Sequence, residues 1–186
     1  MDIRLMKHLA SIWLCMFAIS ALGQGSPPAG GVYLLQSDHW QRLDVTNEEG
    51  PPSVRGEWNA VDWFFVYPNA HAATAVSGAK PVFCWNRFND NISPRSVLIV
   101  RLAQKKNHRE LQTIMGDDPN HLMEYLPQDR IEVQIRDDGD ERTVTPETDL
   151  APGEYMLFTG VSDIMLASGG RFTGAAQTRG FDFQVK

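Results

Sequence analysis

The chain contains 186 residues, of which 42% are hydrophobic and 22% charged, and its formal net charge is −6. That length is enough for one globular domain with a substantial core. The acidic balance, together with the lack of any stripe of lysine and arginine, argues against nucleic-acid binding, because basic residues that pair with phosphates provide that affinity.

The first 23 residues have the three-part pattern of a secretory signal peptide. Arg4 and Lys7 lie in a short polar start, and residues 9–22 are almost wholly apolar. This apolar run is shorter than the roughly 18 residues that a membrane span needs, and an uncleaved membrane anchor is the alternative. We therefore expect cleavage after Gly23, a secreted or periplasmic protein, and no membrane span after cleavage.

The mature chain is predicted to begin with a flexible tether at residues 24–30, which are rich in glycine and proline. Residues 31–186 then form a single domain. This part of the chain has one cysteine, Cys84, which cannot form an internal disulfide. Because Phe83 and Trp85 flank it, we predict a buried small apolar residue rather than a reactive thiol, with an intermolecular disulfide as the open alternative.

Short runs of aromatic and β-branched residues predict strands along most of the chain. Residues 32–45 contain two apolar runs around a polar centre and predict a hairpin, whereas residues 48–57 predict a loop. The stretch "VDWFFVYP" predicts a strand that ends at Pro68. Residues 97–102 form the longest branched run and predict a central strand, which turns at "KKNH" and returns.

The second half of the chain predicts a second hairpin and one short helix. Apolar and polar residues alternate over 131–136, and Gly139 in "DDGDE" is suited to positive φ in the turn. For the helix, Asp118 is placed to cap it, Pro119 suits its first position, and Pro127 ends it. Together these elements predict an all-β fold, an antiparallel β-sandwich of about 8–10 strands with one short helix.

The stretch "LAPGEY" resembles the tyrosine-corner motif of immunoglobulin-like and fibronectin-like sandwiches, through Leu150, Pro152, Gly153 and Tyr155. In that motif the leucine fills the gap between the sheets, proline and glycine set the turn, and the tyrosine hydroxyl bonds to backbone upstream. The resemblance implies that Tyr155 opens the penultimate strand and that residues 181–185 form the last strand beside it. An ordinary Pro-Gly turn is the alternative.

The mature chain as a whole is similar to a loose group of small secreted bacterial proteins of unknown function. They share a G-x-Y…W-x-x-L opening, here Gly31, Tyr33, Trp40 and Leu43, and a PGEY…DF close, here from Pro152 onward. This resemblance implies an exported protein and a β-sandwich fold, and it implies no activity.

Motifs that would carry catalysis or metal binding are weak. Ser77–Lys80 match the S-x-x-K pattern of serine acyltransferases, but Pro81 follows where a helix should continue. The acids at 137–141 are better explained as a turn than as a calcium site. Four histidines of the mature chain lack zinc-ligand spacing: His39, His71, His108 and His121. We therefore predict no catalytic residues, no metal site and no cofactor.

Two features predict a binding surface. Trp58 lies in a polar stretch and is the best candidate for an exposed aromatic side chain. The segment 161–179 is long for a loop, and long loops at one end of a sandwich often carry binding, although a functionless surface loop is the alternative. The candidate surface residues are Trp58, Ile164, Met165, Leu166, Arg171 and Phe172.

The sequence thus predicts a secreted, non-catalytic binding or interaction module of the bacterial cell envelope. Its partner would be a protein or glycan of the envelope, recognised by end loops or by strand addition at an open sheet edge. The alternative is a small secreted hydrolase with a dispersed active site, in which two or more of the histidines converge with acids in a cleft.

Overall fold

The fold is seen in a computed structural model that describes residues 26–27, 30–57, 60–86, 97–115, 123–159 and 179–186. The predicted signal peptide lies outside these ranges. Within them, no helix has the length and apolar character needed to cross a membrane.

Strands dominate the described ranges. In chain order they are β1 (Val32–Gln36), β2 (His39–Leu43), β3 (Thr46–Asn47), β4 (Ser53–Glu57), β5 (Ala60–Pro68), β6 (Ala75–Val76), β7 (Phe83–Asn86), β8 (Leu98–Gln104), β9 (His108–Met115), β10 (Met123–Tyr125), β11 (Arg130–Ile131), β12 (Val133–Asp138), β13 (Glu141–Pro146), β14 (Gly153–Phe158) and β15 (Arg179–Val185).

These strands form two sheets, and the all-β prediction is confirmed. The smaller sheet has the order β12-β13-β7-β1-β2, and the larger follows β3-β15-β14-β8-β9-β5-β4. Three short strands extend the larger sheet, because β10 pairs with β9, β11 with β8, and β6 with β15. Neighbouring strands are antiparallel except for the parallel contact between β6 and β15.

Both predicted hairpins are confirmed. The β1–β2 hairpin turns through Ser37 and Asp38, whose φ angles are 47° and 64°, the sign that a two-residue type I′ turn requires. The β12–β13 hairpin turns at Gly139, with φ at 56°. Strand β8 pairs with both β14 and β9, so the prediction of a central strand there is also confirmed.

Two local predictions are wrong. The short helix is not seen: Met123–Tyr125, which we expected inside it, form β10 and pair with β9 from Met115 to Thr113, while residues 116–122 lie outside the described ranges. The expected loop at 48–57 contains β4, which pairs with β5 from Ser53 to Glu57. In both places pairing with a distant strand overrides the local sequence signal.

The two sheets enclose a first core. Leu34, Phe83 and Trp85 of the smaller sheet pack here with Ile99, Leu157 and Phe183 of the larger sheet. All six side chains are at most 1% exposed, so this cluster joins the two sheets through a shared core.

The larger sheet curls into a half-barrel around a second core. Phe65 and Tyr67 of β5, Leu111 of β9, and Met156 and Phe158 of β14 belong to this cluster. Strand β14 is therefore buried on both faces, which explains why its sequence is continuously apolar from the tyrosine onward instead of alternating.

Candidate functional site

The residues of the predicted corner lie where β14 begins. The Tyr155 hydroxyl donates a hydrogen bond to the Ala151 carbonyl over 2.7 Å, and Leu150 is 4% exposed in the first core. The Pro152 carbonyl accepts a hydrogen bond from Arg101 at 3.2 Å, and a Cβ on Gly153 would lie 3.3 Å from the same guanidinium. Burial raises the pKa of Tyr155, which keeps its hydroxyl protonated as a donor.

The predicted binding surface falls outside the described ranges. This applies to Trp58, Ile164, Met165, Leu166, Arg171 and Phe172. The candidate sites described next come from other residues, and of these the sequence analysis considered the histidines His71 and His108 as possible site residues.

The histidines contact different groups. His39 is exposed, with Nδ1 3.3 Å from the Ser37 carbonyl oxygen. His71 Nδ1 lies 2.8 Å from Glu154 Oε1, and His108 Nε2 lies 3.2 Å from Glu110 Oε1. His121 is outside the described ranges. Two histidines thus pair with acids, but each pairs with a different glutamate on a different strand.

A buried ionic network joins β9, β14 and β15. Arg109 and Glu154 are each 1% exposed, and Asp182 is 9% exposed. Arg109 Nη1 donates a hydrogen bond to Asp182 Oδ2 and lies 3.8 Å from Glu154 Oε2. The second oxygen of Asp182 accepts a hydrogen bond from the Thr46 hydroxyl at 2.6 Å. Charges this far from water persist only when they are paired and hydrogen-bonded.

The same network fixes the chain that follows β5. Arg109 also donates to the carbonyls of Pro68 and Asn69, at 2.7 and 3.1 Å, and Glu154 accepts the Ala72 amide at 2.8 Å. Asn69 has a φ of 66°, which is an uncommon conformation for a residue other than glycine. We infer that the network anchors this connection, and that its half-exposed member, His71, forms the surface end.

A second charged cluster lies around Glu110, whose side chain is 5% exposed. Arg55 Nη2, His108 Nε2 and Lys105 Nζ lie 2.8, 3.2 and 3.3 Å from its carboxylate oxygens. Burial is the largest single influence and opposes ionisation, but hydrogen bonds from the three basic side chains together outweigh it and hold the pKa of Glu110 below its usual value. Glu110 is therefore a buried anion that orients three basic side chains.

Arg55 connects this cluster to the edge strand β4. Its guanidinium lies over the Phe64 ring, 4.2 Å from the centroid, and its side chain is 54% exposed. The preceding residue, Val54, is 52% exposed, so an exposed apolar side chain precedes a charged one along this strand. Within the described ranges β4 pairs with β5 alone, so it forms one end of the larger sheet.

The backbone of β4 turns hydrogen-bonding groups outward. The Val66 carbonyl accepts the Glu49 amide at 2.7 Å, on the side of β5 opposite to β9. Backbone N–H and C=O groups alternate sides along a strand, so those of Phe64 and Asp62 also face β4. These two residues pair with Ser53 and Arg55, whose backbone groups therefore face β5. The N–H and C=O groups of the intervening residues, Val54 and Gly56, consequently point away from the sheet.

A groove of about 440 Å³ lies where the β12–β13 hairpin meets the chain before β7. Its lining is mixed polar and apolar, from Lys80, Val82, Gln134, Thr145, Pro146 and Glu147. Lys80 Nζ donates to the Glu147 carbonyl at 3.1 Å and lies 3.8 Å from Asp149 Oδ1. The Lys80 ammonium of this groove is thus already engaged by neighbouring oxygen atoms.

Metal and thiol chemistry find no support in the described part of the chain. No cluster of three or more histidine, cysteine, aspartate or glutamate side chains there could hold a metal ion. Cys84 is buried as predicted, and burial, the largest influence, raises the pKa of its thiol to about 11. A thiol with that pKa is almost fully protonated near neutral pH and is a weak nucleophile.

Fold and site together define an all-β protein with one buried ionic network, a buried glutamate with three partly exposed basic partners, and an exposed sheet edge. Comparison with known proteins adds no relative: no protein-family model, no curated protein and no solved structure matches the chain.

Proposed function

We propose that the chain is a secreted or periplasmic, non-catalytic binding module of the bacterial cell envelope that recognises an extended segment of its partner by strand addition at β4. The observation that carries the proposal is the exposed edge of the larger sheet, where Val54 and Gly56 direct backbone groups outward. Main-chain hydrogen bonds provide affinity in this mode of recognition, and alternate side chains provide selectivity.

The side chains of β4 suit such a role. Ser53, Val54, Arg55 and Gly56 are all exposed, so a partner strand would cover surface that already faces water. The strand also carries features that oppose uncontrolled pairing: Arg55 is charged, and Gly56 has a φ of 126°, outside the usual range of strand residues. These features favour a specific partner over self-association.

The finer fold assignment is also part of this proposal. Two antiparallel sheets around a shared core, with a tyrosine hydrogen-bonded upstream at the start of β14, support an immunoglobulin-like sandwich. Binding through sheet edges and end loops is common for such modules, and the export predicted from residues 1–23 agrees with an envelope partner.

The first test replaces the outward amide. In Val54→Pro the N–H that a partner would need is removed, while the ladder to β5 is kept, because proline is tolerated at an outward position of an edge strand. Short labelled peptides of alternating valine and glutamine, which favour extended structure, serve as probes in fluorescence anisotropy. We expect the affinity of the variant to fall about tenfold or more.

The matched control is Arg42→Pro in β2, the end strand of the smaller sheet. Leu35 donates its amide toward β7, so Arg42, opposite Tyr33, also points its amide outward. If both variants keep the affinity of the wild-type chain, or if only Arg42→Pro loses it, β4 is not the binding edge.

The alternative of a small secreted hydrolase with a dispersed active site is favoured by one observation, the pair of half-exposed His71 and buried Glu154. A carboxylate that orients an imidazole is a common arrangement for a general base. Hydrolysis of ester and amide substrates by the wild-type chain, abolished in His71→Gln, would support this alternative over the binding module.

A further inference from the structure

We infer that the segment that β4 accepts is acidic, with a carboxylate opposite Arg55 and an apolar side chain opposite Val54. This inference rests on the proposed function and names the chemistry of the partner. It depends on the contacts that hold Arg55 in place and on the N–H donors that its guanidinium does not use for Glu110.

Arg55 is fixed in position before any partner arrives. Its guanidinium lies 4.2 Å from the Phe64 centroid, and one nitrogen, Nη2, donates to Glu110 over 2.8 Å. A guanidinium has five N–H donors in one plane, and 54% of the Arg55 side chain remains exposed. Because the guanidinium extends from β4 over β5 toward Glu110 of β9, a carboxylate on an added strand would be attracted mainly by its exposed positive charge.

The surrounding charges leave Arg55 incompletely neutralised. Glu110 shares its carboxylate among three basic side chains, since Lys105 and His108 contact it as well. Asp62 is opposite Arg55 in the register, but its Oδ2 accepts the Gln112 amide at 3.0 Å. Both nearby acids therefore have other donors, and an incoming carboxylate would face a half-exposed cation.

Strand addition brings side chains of the partner within reach of these two residues. Directly opposed side chains in an antiparallel pair have Cβ atoms about 4.5–5.5 Å apart, and opposite charges there are favourable. Val54 and Arg55 point to opposite faces of the sheet. The matching partner thus carries an acidic residue on one face and an apolar residue on the other, in alternation.

The experiment compares three labelled peptides with alternating valine: one with glutamate, one with glutamine and one with lysine. We expect the glutamate peptide to bind best and the lysine peptide worst. Arg55→Gln should lower the affinity for the glutamate peptide about two- to fivefold. The effect should shrink at high salt, because the pair of arginine and glutamate is partly exposed. Arg55→Lys should recover only part of the loss, since it keeps the charge without the planar fork.

Arg136→Gln is the matched control, because it changes the net charge equally on β12, an exposed strand of the other sheet. Thermal denaturation of each variant checks that the fold is intact. If the three peptides bind the wild type equally and all lose affinity in Val54→Pro, strand addition stands and the acidic preference is overturned. If none binds the wild type, the proposed function itself fails.

Discussion

Arg109 Nη1 lies 3.8 Å from Glu154 Oε2, and both side chains are 1% exposed. This contact, with the hydrogen bond from Arg109 to Asp182, places one buried cation between two buried carboxylates. Such a cluster is costly to desolvate and is held in place by the strands that carry it. It ties the chain after β5 to β14 and β15, at the same end of the sheet as the β8–β9 hairpin.

Removal of this cation should destabilise the fold strongly. Arg109→Met keeps the length of the side chain but leaves Glu154 and Asp182 without their shared partner, and we expect the free energy of unfolding to fall by about 3–5 kcal/mol. Urea denaturation measures the change. Arg130→Gln is the control, because its ion pair with Glu132 joins side chains that are 51% and 69% exposed and should be worth less than about 1 kcal/mol. Equal losses in the two variants would contradict a buried network.

The hydrogen bond at the start of β14 should contribute measurable stability. Tyr155→Phe removes the hydroxyl that donates to the Ala151 carbonyl and keeps the ring that stacks on Phe183. We expect the free energy of unfolding, measured by thermal denaturation, to fall by about 1 kcal/mol. Tyr33→Phe, whose hydroxyl lies at a longer 3.4 Å from the Gly30 carbonyl, should lose less. A larger loss in the Tyr33 variant would mean that the corner contact is not the stronger one.

Glu110 should make the stability of the fold depend on pH below its ordinary pKa. Because the pKa of this carboxyl is lowered in the folded chain, its contribution is complete above its ordinary value of about 4.3 and is lost as the pH falls through the lowered value. The difference in melting temperature between wild type and Glu110→Gln should therefore be largest near neutral pH and shrink toward about pH 3. If the difference in melting temperature instead grows as the pH falls, the protonated form of Glu110 would be the one that stabilises the fold, and the lowered pKa would be contradicted.

Gly180 should not tolerate a side chain. A Cβ there would lie 2.5 Å from Met156 Cγ and 3.0 Å from the Leu157 carbonyl oxygen of the neighbouring strand β14. Met156 is able to move in part, but the backbone oxygen is not, so Gly180→Ala should cost about 1–3 kcal/mol. In Gly78→Ala nothing lies within 4 Å of the added carbon, and urea denaturation should show no loss. Equal stability of the two variants would contradict the close approach of β15 to β14.

The elements that were predictable from the sequence depend on local signals. The β12–β13 hairpin follows from alternation and from Gly139 in the turn, and the β8 strand follows from its branched run. The prediction of a helix after Asp118 is wrong because Met123–Tyr125 pair with the backbone of β9, and that contact is not local in sequence. Strand β4 could not be predicted for the same reason. The stretch "SVRGE" has one β-branched and no aromatic residue, and its strand conformation depends on pairing with β5.

The candidate sites were harder to predict than the fold. Arg109 belongs to "KKNHR", which reads as a basic hairpin tip, and charged residues are seldom buried. One signal was present: Arg109 and Leu111 alternate with Glu110 along β9, so Arg109 shares the face of an apolar core residue. The acid that balances its charge, Asp182, is distant in the sequence, and no local pattern connects the two.

Amide hydrogen exchange tests the central claim most directly. In the free chain the Val54 and Gly56 amides face outward and should exchange quickly, and saturation with the alternating valine and glutamate peptide should slow both, because each then donates to the added strand. The outward amide of Arg42 in β2 should not change. Protection that appears at Arg42 or along β12 while Val54 and Gly56 stay fast would contradict strand addition at β4.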